Sequence, residues 1–132
     1  MAAPLAGQQP PATASAAVDA FHRALQQGDS ATALSLLAPD VVVFESGTRQ
    51  LSREEYRSHH LGADMAFEGA TATEVVARRA GEAGEVAWVL SETRTMGTFR
   101  GREVDRSGVE TMLLRRTADG WRIVHVHWSA RR

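Results

Sequence analysis

The sequence predicts an α+β fold in which a curved antiparallel sheet wraps around helices. Helical spacing of apolar residues is confined to the first half of the 132-residue chain. The second half reads as four successive strands separated by short turns. No internal repeat or domain boundary interrupts this order. We therefore expect one folded domain over residues 15–132, after a disordered tail over residues 1–14.

Two helices are predicted before the first strand. The first begins near Ser15 and ends at Gly28, a residue type that favours helix C-termini. Apolar residues at helical spacing form its buried stripe: Val18, Phe21 and Leu25. Asp29 or Ser30 caps a short second helix, which Pro39 ends.

A β-branched strand over 41–45 precedes the third helix. Ser52 and Glu55 have the spacing of a capping box, which predicts a helix over 53–66. The stripe of this helix that should face inward consists of Tyr56, His60, Ala63 and Phe67.

Four strands follow the third helix. They are expected over 71–79, over 86–99, over 104–116 and from 121 to the end of the chain. Turns rich in glycine separate them, which favours long antiparallel hairpins.

The last strand contains two histidines, two residues apart. Because side chains of a strand alternate between its faces, His125 and His127 should share a face with Trp121 and Ile123. The opposite face is then formed by Val124, Val126 and Trp128. We expect the first face to line a pocket and the second to build a homodimer through the sheet.

The register of the final hairpin adds two residues to the predicted pocket. A four-residue loop over 117–120 pairs Met112 with His125 and Glu110 with His127. Such a carboxylate–imidazole pair can transfer protons near neutral pH. A purely structural role, in which Glu110 satisfies a buried His127, is the alternative.

Further pocket residues are expected from the other elements. His60, Asp64 and Tyr56 would face the cavity from the third helix, and Glu45 from the first strand. Trp88 is included as a ligand-binding candidate, with a core or dimer contact as the alternative.

The same histidines suggest a metal site as a second hypothesis. His60, His125 and His127, completed by Asp64 or Glu110, would suit a divalent ion such as zinc or copper. No HxxxH or HExxH motif supports this set.

Composition excludes several classes of function. The net charge of −1, with acids and bases interspersed, offers no basis for binding nucleic acid or an anionic membrane. All fifteen basic residues are arginine, which rules out a Schiff-base lysine, and cysteine is absent. No apolar run approaches the ~20 residues that span a bilayer. We expect a cytoplasmic protein, or an exported one whose signal has been removed.

Both ends of the chain resemble nuclear transport factor 2-like domains. The resemblance is carried by Gln27-Gly28-Asp29 with Leu34-Ser35-Leu36-Leu37-Ala38-Pro39-Asp40-Val41, and by the last strand from Asp119 to Ser129. This group includes SnoaL-like polyketide cyclases, ketosteroid isomerase and the association domain of calmodulin-dependent kinases. The resemblance implies a cone-shaped barrel with three helices and an internal pocket, commonly dimeric through the sheet. His127 with Ser129 matches the His-x-Ser ending of association-domain and SnoaL-like relatives.

Three functions therefore remain open. The first is a pocket that binds a small hydrophobic carbonyl compound and isomerises or cyclises it, with Glu110 and His127 transferring the proton and His60 or Tyr56 polarising the carbonyl. The second is the metal-binding module. The third is a non-catalytic dimeric association or ligand-binding domain.

Overall fold

The computed structural model describes residues 10–131 and confirms the α+β class. The described residues form four helices: α1 (Ala14–Gln27), α2 (Ser30–Ser35), α3 (Arg53–His59) and α4 (Leu61–Ala70). They form six strands: β1 (Leu37–Glu45), β2 (Thr48–Gln50), β3 (Thr71–Ala83), β4 (Val86–Phe99), β5 (Arg102–Thr117) and β6 (Gly120–Arg131). Residues 1–9 of the expected N-terminal tail lie outside the described range.

The six strands form one curved, open sheet. Their order is β2-β1-β6-β5-β4-β3, and β1 runs parallel to β6 while all other neighbours are antiparallel. The short strand β2, which the sequence did not reveal, forms one edge and β3 forms the other. The helices pack on one face, and α1 contacts β4, β6 and α4.

The predicted ends of the first helix are confirmed by its caps. The Thr13 side chain accepts a hydrogen bond from the Ala16 backbone, and Gly28 ends the helix with a φ of 68°. A left-handed φ of this kind favours glycine. Within the described part of the chain, no helix is long and apolar enough to cross a membrane.

The predicted third helix is divided in two. The capping box is present, since Ser52 accepts from the Glu55 backbone, but the helical backbone is interrupted at His60, whose φ is −136°. The interruption changes which side chains face inward. Ala63 is exposed, whereas Asp64 is half-buried beside the pocket.

The predicted register of the last hairpin is correct only in its first half. Leu114 faces Ile123 as expected, but the next pair is Leu113 with His125, so Val124 forms a β-bulge. A bulge of one residue exchanges the two faces of the rest of the strand. Val126 and Trp128 therefore lie on the inner face, and both predicted histidines on the outer face.

The core lies between the helices and the inner face of the sheet. Its large, fully buried side chains come from α1, α3 and all four central strands: Phe21, Leu25, Leu37, Tyr56, Val89, Met112, Leu114, Ile123 and Val126. Burial of apolar area on this scale is the main force that holds the elements together.

Candidate functional site

An open cavity of about 180 Å³ lies between helices α1 and α4 and the inner face of the sheet. Its polar wall contains charged and hydroxyl side chains: His22, Glu45, Asp64, Glu68, Thr73, Thr93, Thr95, Arg106 and Glu110. Phe67 and Trp128 add aromatic surface. The cavity is smaller than the ~300–1,000 Å³ typical of sites for drug-sized ligands, which restricts it to small molecules.

His22 on α1 occupies the centre of the first cluster. Its Nδ1 lies 2.8 Å from Glu68 Oε1, and its Nε2 lies 2.5 Å from Glu110 Oε2. With both carboxyl groups ionised, both ring nitrogens donate to them, and His22 is then an imidazolium. Burial opposes the charged form, but Glu110 and then Glu68 outweigh it and raise the pKa of His22 to about 10.

Glu110 is held by donors from two elements. Trp128 Nε1 donates to the same oxygen, Oε2, at 2.6 Å, since the two residues are direct partners across β5 and β6. Burial raises the pKa of the Glu110 carboxyl, but the charge of His22 and the bonds from His22 and Trp128 lower it overall. Glu110 is thus the ionised partner of the imidazolium.

Glu68 on α4 is held at only one of its two oxygens. Its Oε2 is the one buried side-chain nitrogen or oxygen in the described range for which no hydrogen-bond partner is found. Burial raises the pKa of the Glu68 carboxyl more strongly than the nearby His22 lowers it. The two carboxylates that share His22 are therefore shifted in opposite directions.

His60 belongs to a second cluster of polar side chains, which includes Asp64. Its Nε2 lies 2.8 Å from Glu45 Oε1 and 3.1 Å from Asp64 Oδ1, and its Nδ1 lies 2.7 Å from Gln50 Oε1. Hydrogen bonds that His60 donates to Asp64 and Glu45 outweigh burial and raise its pKa to about 10. Like His22, this imidazolium faces two carboxylates.

The hydroxyl of Tyr56 supports this second cluster. Tyr56 is fully buried and donates to Asp64 Oδ2 at 2.6 Å. Burial, followed by the charge of Asp64, raises the pKa of the hydroxyl, so it remains a donor. Both oxygens of Asp64 are engaged as a result.

The structure brings five of the sequence-predicted site residues together. The second cluster contains four of them: Glu45, Tyr56, His60 and Asp64. The fifth, Glu110, belongs to the first cluster. Met112 lies on the inner face as predicted, but it is fully buried in the core rather than lining the cavity.

Three predicted pocket residues lie on the outer face of the sheet. His125 stacks edge-on against Phe44 and lies 2.8 Å, through Nδ1, from the Val42 carbonyl, to which it donates. His127 also contacts Phe44 and is exposed. Trp88 covers Gly81 on the same face, where it is 38% exposed. The predicted pairs Met112–His125 and Glu110–His127 are wrong because of the bulge at Val124.

The predicted metal-ligand set does not converge either. Because of the bulge at Val124, His125 and His127 lie on the opposite face of the sheet from His60. A different set does converge: one ligand atom each from Glu45, His60 and Asp64, all within 4.8 Å of one another.

Sequence reasoning missed His22 and Glu68, although both have a signal. His22 lies four residues after Val18 and three before Leu25, so it belongs to the buried stripe of α1. Glu68 follows Asp64 by four residues, which places the two carboxylates on one face of α4.

A family model for SnoaL-like domains matches residues 14–131, nearly the whole described chain. The chain is a member of the SnoaL-like family. No curated protein matches it.

Solved structures share the fold of this SnoaL-like domain. A candidate ketosteroid isomerase from Shewanella frigidimarina NCIMB 400 is 36% identical, with a TM-score of 0.82 over 86% of this chain and 91% of that one. A candidate dehydratase of the nuclear transport factor 2-like family from Streptomyces avermitilis is 22% identical, with a TM-score of 0.74 over 89% and 93%. A candidate calcium/calmodulin-dependent protein kinase II association domain from Xanthomonas campestris is 21% identical, with a TM-score of 0.73 over 89% and 84%. The last two likenesses support the fold alone.

Proposed function

We propose that this SnoaL-like domain binds a small carbonyl compound in its cavity and isomerises or cyclises it by acid–base catalysis. The observation that carries the proposal is the pair of buried Glu110 and half-buried His22, whose Oε2 and Nε2 are 2.5 Å apart in the cavity wall. A linked carboxylate and imidazole can hold a proton between them and pass it to or from a ligand. This pair replaces the predicted pair of Glu110 and His127.

The second cluster supports the cavity wall from behind. His60 and Tyr56, which the sequence predicted would polarise a carbonyl, hold the two oxygens of Asp64, and Asp64 lines the cavity. Likeness to a candidate ketosteroid isomerase at 36% identity supports the same class of reaction.

Hydrogen–deuterium exchange tests this function without knowledge of the natural substrate. We expect the protein in D₂O to accelerate exchange of the α-protons of at least one compound in a panel of small cyclic ketones, measured by NMR. Glu110→Gln and His22→Gln should each lower the rate by about 100-fold, within the usual range for general acid–base catalysis. Glu103→Gln, on the same strand but exposed, is the control. Equal rates in Glu110→Gln and the control would refute the proposal.

As a second candidate, we propose a divalent-metal site formed by Glu45, His60 and Asp64. It is favoured by the proximity of their ligand atoms and by Gln50, which holds Nδ1 so that Nε2 faces both carboxylates. Imidazole with carboxylates suits zinc. Protein purified without a histidine tag should then contain near-stoichiometric metal and melt at a lower temperature with chelator.

Substitutions of single histidines distinguish this set of metal ligands from the set that the sequence predicted. His60→Ala should lose the metal, whereas His125→Ala and His127→Ala should retain it. A metal-free protein whose melting curve is unchanged by chelator would refute the site.

We further propose that the outer face of the sheet forms a homodimer. Neighbouring strands expose large apolar side chains there: Phe44, Trp88, Leu90 and Leu113. A contiguous exposed apolar surface of this kind is typical of an interaction site. Light scattering should give a dimer at low micromolar concentration, and Leu113→Glu should dissociate it. A wild-type monomer at all concentrations would refute the dimer.

A further inference from the structure

We propose that the natural ligand of the cavity carries a protonated amine, and that Glu68 Oε2 accepts a hydrogen bond from it. The inference rests on the proposed role of the cavity as the ligand site and adds the chemical class of the ligand. It is independent of which groups transfer the proton.

The hydrogen bonds of Glu68 show which of its oxygens is the acceptor. Glu68 Oε1 receives the Nδ1–H of His22 at 2.8 Å, whereas Oε2 is buried and without a partner among the described residues. A buried acceptor without a donor costs about 1–3 kcal/mol, and more when it is charged. Native proteins rarely leave such an atom unsatisfied, and Glu68 lines the open cavity, so a ligand bound there is placed to supply the donor.

Two hydrogen-bond donors of the neighbouring clusters are engaged with other acceptors. Trp128 Nε1 donates to Glu110, and the Tyr56 hydroxyl donates to Asp64. His22 has no third proton to offer, since its two N–H groups face Glu68 and Glu110. The cavity wall therefore presents an acceptor that the described protein groups leave free.

Charge in the cavity wall points the same way. Four carboxyl groups line the cavity: Glu45, Asp64, Glu68 and Glu110. Carboxylate oxygens accept hydrogen bonds and attract positive charge, so this wall favours a cationic donor over an anion.

The remainder of the ligand should be small and apolar. Phe67 and Trp128 supply aromatic surface, and a cavity of about 180 Å³ holds a ring or short chain. The ligand class is therefore a small carbonyl compound whose apolar body also carries a primary or secondary amine. A carboxylate in the same place would face Glu68 and the neighbouring Glu110, which disfavours anions.

Three compounds of similar shape test the inference: cyclohexylamine, cyclohexanol and cyclohexanecarboxylate. Binding would be followed at pH 7.5 by NMR of the protein. A charged hydrogen bond is worth about 1.5–3 kcal/mol, so we expect the amine to bind at least about 10-fold more tightly than the alcohol, with the carboxylate weakest. In ¹³C spectra of labelled protein, the amine should shift the Glu68 carboxyl resonance.

Variants locate the contact. Glu68→Gln should reduce the preference for the amine over the alcohol to about twofold or less, whereas Glu74→Gln, an exposed carboxyl on β3, should retain it. A melting curve would verify that each variant is folded. If Glu68→Gln does not fold, the shift of the Glu68 carboxyl resonance in the wild type still tests the contact.

The outcomes separate this inference from the proposed function. If the alcohol binds as well as the amine, if no compound of the three binds, or if Glu68→Gln keeps the preference, the inference is overturned. A cyclic ketone that still binds and exchanges its α-protons would leave the proposed function intact. If the amine binds through Glu68 but no ketone exchanges, the proposed function fails instead.

Discussion

Trp128 lies directly opposite Glu110 in the sheet, and its Nε1 donates to Glu110 Oε2 at 2.6 Å. This contact exists only because Val124 bulges out of the register and turns Trp128 to the inner face. The same displacement turns His125 and His127 outward. One backbone irregularity therefore decides which residues of β6 can reach the cavity.

Removing the indole donor should weaken both the fold and the cavity wall. Trp128→Phe leaves Glu110 with one donor fewer, and the loss should be about 1–2 kcal/mol of unfolding free energy. Urea denaturation measures it. The control is Trp88→Phe on the outer face, which loses no bond to Glu110 and should cost less. Equal losses in the two variants would contradict the role of the Trp128–Glu110 bond.

Substitution of His127 should have little effect. Its side chain is exposed on the outer face, so His127→Ala should change the unfolding free energy by less than about 0.5 kcal/mol. Val126→Ala, one residue earlier but fully buried, should cost about 1–3 kcal/mol. Proton exchange on the responsive ketone should also be unchanged in His127→Ala. A large loss of activity there would restore the pocket role that the bulge excludes.

The stability contributed by His22 should depend on pH in a defined window. The pKa of His22 is about 10 in the folded protein and about 6.5 as its unperturbed value. A raised pKa means that the folded state binds the proton more tightly, so the contribution is complete below pH 6.5 and is lost between pH 6.5 and 10. The difference in melting temperature between the wild type and His22→Gln should shrink over that range.

The exposed neighbour His59 provides the control for this pH series. His59→Gln should follow the wild-type curve, because His59 lies on the exposed side of α3. A difference between wild type and His22→Gln that stays constant from pH 6.5 to 10 would contradict the imidazolium assignment.

Any side chain at Gly81 should displace the indole of Trp88. A Cβ at Gly81 would lie 2.4 Å from Cζ2 of the Trp88 ring, closer than real contacts allow. Gly81→Ala should displace the indole and shift the tryptophan fluorescence. Gly62→Ala, a helical position with no atom within 4 Å of the added Cβ, should be neutral or stabilise the protein by up to about 1 kcal/mol. Identical spectra for Gly81→Ala and the wild type would contradict this packing.

Sequence patterns predicted most of the fold because local signals agree with the tertiary structure. The Gly28 terminus, the Ser52 capping box and the pairing of Leu114 with Ile123 depend only on neighbours in the chain or on one turn. The interruption at His60 has no comparable local signal, since neither glycine nor proline occupies that position.

The site was harder to predict because it depends on one bulge and on contacts between distant elements. A signal for the bulge does exist: apolar residues at 121 and 123 recur at 126 and 128, so the alternation shifts by one residue. The bond between His22 and Glu110 joins residues 88 positions apart. Spacing along the chain cannot reveal such a contact, although the helical stripe of Val18, His22 and Leu25 shows that His22 faces inward.

The central claim is that His22 is a doubly bonded imidazolium between Glu68 and Glu110, and ¹⁵N NMR of its ring tests this most directly. The His22 resonances, assigned by their absence in His22→Gln, should show both nitrogens protonated at pH 8 and titrate with a midpoint near pH 10. A neutral ring at pH 8, with one unprotonated nitrogen, would contradict the account of the site.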